Sequence, residues 1–136
     1  MRYMLDTNIC IYLMKNDPPA VRARFESLAY GSVVMSVVTL AELKCGVSER
    51  SADRSRVAKI VDRLVDFVPS LPFDDDAADQ YATLYRAVRD RRRDALDRLI
   101  AAHSLSADCV LVTSNEADFR DYPGLRVENW ADTPAV

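Results

Sequence analysis

Short apolar runs alternate with longer helical stripes along the 136-residue chain. Tyr3–Leu5, Val33–Met35, Phe67–Leu71 and Val110–Val112 predict buried strands, and Leu125–Val127 a short edge strand. Helical spacing fills the gaps between them. Ile9–Met14 predicts a brief helix that stops before Pro18-Pro19, and Val21, Arg24, Phe25 and Leu28 mark a second. Leu40, Leu43 and Val47 carry i, i+3, i+7 spacing. Val57, Ile60, Val61 and Leu64 form another stripe, as do Ala77, Tyr81, Leu84, Tyr85 and Val88. Leu96, Leu99, Ile100 and His103 close the set. Strands alternating with helices predict an α/β fold, a mainly parallel central sheet with helices on both faces. No repeat, low-complexity tract or long linker divides the chain, which reads as a single domain over residues 1–136.

Composition narrows the function classes. With 49% apolar and 29% charged residues, the chain has the balance of a globular protein. No apolar stretch approaches the roughly 18 residues that span a bilayer, and the N-terminus lacks a signal-peptide pattern. Cys10, Cys45 and Cys109 are widely spaced in apolar sequence and read as buried reduced thiols; a cytoplasmic protein is expected. Three glycines leave no material for a Gly-rich phosphate loop, which excludes P-loop and dinucleotide-binding readings.

A net charge of −3 offers no general attraction for nucleic acid. The local picture differs. Arg86, Arg89, Arg91, Arg92, Arg93 and Arg98 share residues 86–98 with Asp90, Asp94 and Asp97. Such a basic patch beside carboxylates suits a phosphate-bearing substrate; a solvated helix end laced with ion pairs accounts for the same residues.

Candidate chemistry gathers at four separated places. Asp6 follows the first strand, where open α/β sheets bind ligands, and opens the polar turn Asp6-Thr7-Asn8. Glu42 lies in the first turn of the helix after the second strand, and Asp97 in the first turn of the helix 95–105. Asn115 and Asp118 follow the strand Val110–Val112. In a parallel sheet, strand carboxyl ends and the N-termini of following helices share one edge, so these groups converge. Hard oxygen ligands at one mouth suit Mg²⁺ or Mn²⁺.

Each position also has a purely structural reading. Thr39-Leu40-Ala41-Glu42 is a capping box, and Asp94-Ala95-Leu96-Asp97 an N-cap followed by a dipole-favoured acid. Asn115 and Asp118 serve as turn residues, and Asp6 as an Asx-turn bonding the amides near Asn8. His103, the sole histidine, reads as a satisfied core or interface residue, and Trp130 as an anchor for the tail.

These segments resemble a known family. Met4-Leu5-Asp6-Thr7-Asn8-Ile9-Cys10-Ile11-Tyr12-Leu13, Ser36-Val37-Val38-Thr39-Leu40-Ala41-Glu42-Leu43 and Leu96-Asp97-Arg98-Leu99-Ile100-Ala101-Ala102-His103 are similar to the motifs of PIN domains, above all the VapC toxins of bacterial toxin–antitoxin pairs. Leu111–Phe119 and Pro123–Trp130 resemble the same family's ending. The resemblance implies a three-layer α/β/α sandwich and a Mg²⁺- or Mn²⁺-dependent endoribonuclease. It implies a homodimer, with higher hetero-oligomers once a cognate VapB-type antitoxin crosses the active-site groove. Asp6 and Asp97 then match the principal metal-binding acids and Glu42 the third. Thr7, Asn8, Thr113, Arg91, Arg92 and Arg93 are candidates for orienting ligands or holding RNA. Two departures stand out: Asn115 occupies the place of a frequent fourth acid, with Asp118 nearby, and Arg91-Arg92-Arg93-Asp94-Ala95-Leu96 replaces a glycine-containing stretch. One rival is a phosphatase or dehalogenase with Asp6 as covalent nucleophile, but such enzymes place a second acid two residues on, where this chain has Asn8. The other is a catalytically silent PIN-like module that binds RNA or protein.

Overall fold

The computed structural model describes residues 1–49 (the last three by backbone alone), 53–89 and 95–131. The elements run β1 (Arg2–Leu5), α1 (Thr7–Lys15), α2 (Pro19–Glu26), β2 (Val33–Ser36), α3 (Val37–Glu49), α4 (Arg54–Phe67), β3 (Ser70–Leu71), α5 (Asp75–Ala87), α6 (Ala95–Ser106), β4 (Cys109–Val112) and β5 (Val127–Glu128). A 3₁₀ turn at Glu116–Asp118 separates the last two strands. The strands stand in the order β3-β2-β1-β4-β5, every neighbouring pair parallel. Leu5 of the central β1 is in register with Met35 on one side and Val112 on the other.

Successive strand residues face opposite sides of the sheet, and the apolar strands supply both faces. Tyr3, Leu5, Val33, Met35, Val110 and Val112 meet Ile9 and Leu13 of α1 and Val61 and Leu64 of α4. Leu111 meets Leu84 of α5 and Ile100 of α6 on the other side, with Met4 and Val34 beside it. The α/β/α layering therefore follows the expectation. The chain leaves β1 for β2 in one direction and later adds β4 in the other, so a topological switch point opens at the carboxyl ends of β1 and β4. Ligands bind parallel sheets in such a crevice.

Four expectations are corrected. The strand expected at Phe67–Leu71 shrinks to Ser70–Leu71, because Phe67 is the last residue of α4 and is 58% exposed. Pro69 forces Val68 out of helical geometry (φ −126°, ψ 83°), which ends the helix there. The edge strand moves from Leu125–Val127 to Val127–Glu128, paired to Leu111 and Val112. Leu96 leaves the apolar stripe of α6 and is 51% exposed. Cys10 and Cys109 are buried free thiols, but Cys45 is exposed. Trp130 does anchor the tail: it is buried, packs on Tyr3 at 5.7 Å, and donates from Nε1 to Glu128 at 3.1 Å.

Candidate active site

Asp6 sits at the switch point and is only 7% exposed. Its N–H donates to the Val112 carbonyl at 3.0 Å, extending the β1–β4 ladder by one residue. Its Oδ1 accepts from the Ile9 N–H at 3.0 Å and caps α1. The structural reading of Asp6 is thus realised, and it fixes the carboxylate without hiding its chemistry. Burial, the largest influence, pushes the carboxyl above the ordinary carboxylate range. Hydrogen bonds from the Thr113 hydroxyl and the Ile9 and Asn8 amides oppose this rise, and the charge of Glu42 adds to it.

The reach of Glu42 follows from where α3 begins. The expected capping box at Thr39–Glu42 does not form, because the helix starts at Val37 with Ser36 at its head: Ser36 Oγ accepts from the Val38 N–H at 3.1 Å. Glu42 therefore falls in the second turn, half-buried, and accepts the Thr7 hydroxyl at 2.6 Å. That bond ties α3 to the first residue of α1, next to Asp6. One turn earlier, Thr39 keeps a fully buried hydroxyl with no hydrogen-bond partner among the described residues. Replacing Thr7 by Val should release Glu42 and lower turnover about 10–100-fold, with little change in folding, which single-turnover rates and thermal melts will check.

A second support comes from the loop after β4. Thr113 is fully buried; its hydroxyl bonds Asp6 and accepts the Asn115 N–H at 3.0 Å. Asn115 itself is exposed and donates from Nδ2 to Asp118. The amide in place of an acid thus holds Asp118 through a charge-assisted bond. Asn8 is exposed in the first turn of α1.

Asp97 is half-buried in the first turn of α6. Because α6 leads back into β4, its N-terminus lies at the same sheet edge as Asp6. Among the described residues no three His, Cys, Asp or Glu side chains form a ready metal cluster. Arg98 is removed from the expected basic patch: it is 2% exposed, 3.3 Å from the Tyr81 hydroxyl, and stacked over Tyr81 and Tyr85 at 5.7 and 5.3 Å. Arg86 and Arg89 are exposed, whereas Arg91, Arg92, Arg93 and Asp94 lie outside the described residues.

An all-parallel α/β/α domain with a buried acid at its switch point and a second acid tied beside it has the frame of a PIN nuclease. Residues 3–125 match the PIN domain family, and the chain belongs to that family and, within it, to the VapC ribonucleases. It is 35% identical over 133 residues to the tRNA(fMet)-specific endonuclease VapC of Shigella flexneri, covering 96% of this chain and 99% of that one. The toxin-like fold superposes with a TM-score of 0.87 on the VapBC2 structure from Rickettsia felis bound to a promoter DNA fragment (30% identity; 96% and 99% covered). The VapBC-1 structure from nontypeable Haemophilus influenzae gives 0.87 as well (32% identity; 97% and 100% covered).

Ser36 is a site-supporting residue that was not among the candidates above. Its signal was present, since a serine between an apolar strand and a helical stripe is an N-cap candidate.

Proposed function

We infer that this chain is the toxin of a toxin–antitoxin pair, an endoribonuclease that hydrolyses RNA phosphodiester bonds with Mg²⁺ or Mn²⁺. The observation that carries this reading is the buried Asp6 carboxylate beside Glu42, an acid pair whose mutual charge is unfavourable until a cation joins it. The donor set fits a hard divalent ion, which takes few carboxylates and keeps several waters. Asp6, Glu42 and Asp97 would hold it, directly or through water. When bound, such an ion acidifies water and offsets charge developing on the phosphoryl oxygens.

The chain's own residues supply order and proton handling. Glu42, held by Thr7, orients the attacking water and accepts its proton. Asp6 is locked by the Ile9 amide and the Thr113 hydroxyl, and Asn115 fixes Thr113 in turn. Asp118, held by Asn115, would complete the site from the loop after β4. A covalent role for Asp6 finds no support, because the position two residues on, where such enzymes place a second acid, is Asn8, exposed in the first turn of α1.

The partner reading rests on a groove. Leu13, Met14, Phe25, Ile60, Leu64 and Phe67 supply the apolar wall of a hollow of about 600 Å³ between α1, α2 and α4, which Asn16, Arg22, Glu26 and Arg63 complete. A smaller hollow shares Met14 with it and reaches Glu42 through Ile11 and Leu43. An apolar antitoxin segment laid there would end at the acids, and the likeness to VapBC complexes supports that partner. A second copy of the chain, and higher assembly with antitoxin, belong to the same proposal; exposed Tyr85 and Leu96 give the α5–α6 layer apolar surface for it. No described helix is long and apolar enough to cross a membrane, and cytoplasmic RNA is the proposed target.

Induced expression of the chain and of Asp97→Ala, followed by sequencing of RNA 5′ ends, tests the reading. Growth arrest and new 5′ ends are expected from the first and neither from the second. The name of the Shigella relative makes initiator tRNA the first purified substrate to offer, with and without Mg²⁺ or Mn²⁺. Cleavage by Asp6→Ala at the unaltered rate would overturn the assignment.

A further inference from the structure

His103 is the only histidine in the chain and is 2% exposed, on α6, the helix that carries Asp97. Its Nδ1 lies 2.7 Å from Ser36 Oγ, and Ser36 is itself fully buried. Ser36 ends β2 and caps α3, the helix that carries Glu42. The imidazole also bonds the backbone of Pro72. Proline has no N–H, so the partner is the carbonyl and the ring donates to it. A neutral ring that donates from Nε2 to that carbonyl leaves Nδ1 as an acceptor for Ser36, the tautomer that the proposal below requires. In that tautomer the directions close into one line: Val38 N–H to Ser36 Oγ, Ser36 O–H to His103 Nδ1, and His103 Nε2–H to the Pro72 carbonyl. Phe73 packs edge-on against the ring at 5.4 Å. Burial holds the imidazole below its ordinary pKa against the opposing charge of Asp74.

A leucine would fill this space without a buried polar line to satisfy, so packing alone does not explain a histidine here. What the line does is join the head of α3 to the last turn of α6. We propose that His103 is a positioning residue, which through Ser36 sets the start of α3 against α6 and so the spacing of Glu42 and Asp97 across the site. The inference rests on the nuclease reading above. Glu42 lies six residues from Ser36, about 9 Å along a helix axis, so a small swing at the cap becomes a comparable displacement at the carboxylate. Displacements of about 1 Å cost turnover on the order of 10²-fold.

The experiment compares Ser36→Ala, His103→Leu and His103→Asn, with amide spectra and melting curves to establish that each is folded. Asparagine places Oδ1 where Nδ1 was and keeps the acceptor for Ser36; leucine keeps only bulk. The first two are expected to lose about tenfold or more in kcat with KM for RNA within about twofold, and His103→Asn to recover most of the loss. In the unaltered metal-free protein, ¹⁵N signals of the single imidazole should show an unprotonated, hydrogen-bonded Nδ1 and a protonated Nε2, with Nδ1 moving in Ser36→Ala. Folded Ser36→Ala and His103→Leu with unaltered kcat would overturn the proposal, as would a protonated Nδ1 or a His103→Asn no more active than His103→Leu. If the unaltered chain cuts no RNA, the nuclease reading fails instead. The coupling is then read from the amide shifts of Glu42 and Asp97, and both staying unmoved in His103→Leu would overturn it.

Discussion

Asp6→Asn is expected to lower RNA cleavage by about 10²–10³-fold or more and, at the same time, to make the metal-free protein more stable near neutral pH. The first effect follows from removing a charge that would hold the divalent ion. The second follows from burial. Asp6 is pushed above the ordinary carboxylate value near 3.8 chiefly by desolvation, with Glu42 adding to the rise. A folded-state pKa raised above the unfolded one means that Asp6 is well tolerated while protonated and costs stability once pH rises through its folded value. Asparagine cannot ionise, so its advantage should be present at pH 7.5, shrink as pH falls, and vanish below about 4. Asparagine also keeps the cap on Ile9, whereas alanine gives up that bond at a cost of about 1 kcal/mol. Asp6→Asn is therefore the firmer variant and Asp6→Ala roughly neutral.

His103 tilts the balance the other way. Its pKa is lowered by burial, so the stability it contributes is present above about 6.5 and lost as pH falls through its folded value. Thermal melts in chelator at several pH values, repeated with saturating Mg²⁺, separate these contributions. Mg²⁺ should raise the melting temperature of the unaltered protein and leave that of Asp6→Asn nearly still. A lower melting temperature for Asp6→Asn than for the unaltered chain at pH 7.5 in chelator would show that burial of the charge is not the dominant cost.

The layering and the acid-bearing edge were legible because they depend on period and order. Runs such as Val33–Met35 and Val110–Val112 are apolar on both faces, which only a sheet covered on both sides accommodates. Asp6, immediately after such a run, lands at the carboxyl end whatever the details of packing. The readings that failed were those in which neighbours in space choose between local options. Ser36 and Thr39 are both acceptable helix caps, and the choice of Ser36 released Glu42 to bond Thr7, thirty-five residues away. Arg98 reads as part of a charged run, yet two tyrosine rings of α5 enclose its guanidinium. Phe67 is spaced like a strand residue, but α4 continues through it to the stop at Pro69. Its exposed ring is less a packing error than a part of the groove wall.

That groove yields the other large effect expected here: Ile60→Asp should leave RNA cutting intact while releasing the enzyme from its antitoxin. Ile60 is half-buried and borders both the groove between α1, α2 and α4 and the adjoining hollow along α4. Partly open to water, it can be exchanged for a charge at modest cost to the fold, unlike Val61 or Leu64 beside it, which lie in the core. Against a bound apolar segment the same carboxylate would have to shed its water, even with Arg22 and Arg63 lining the same groove. Losing a central apolar anchor costs about 2–4 kcal/mol of binding, roughly 30- to 1,000-fold in affinity. Cells carrying both proteins should then arrest with Ile60→Asp but not with the unaltered toxin. Thr83→Asp, exposed on α5 in the opposite layer, should remain neutralised. The acids are untouched in either variant, so purified cleavage rates should match, and titration of antitoxin against that activity reads the affinity directly. Equal neutralisation of Ile60→Asp and the unaltered chain would place the antitoxin elsewhere, because an apolar segment seated between Phe25 and Leu64 would lose its contact with Ile60.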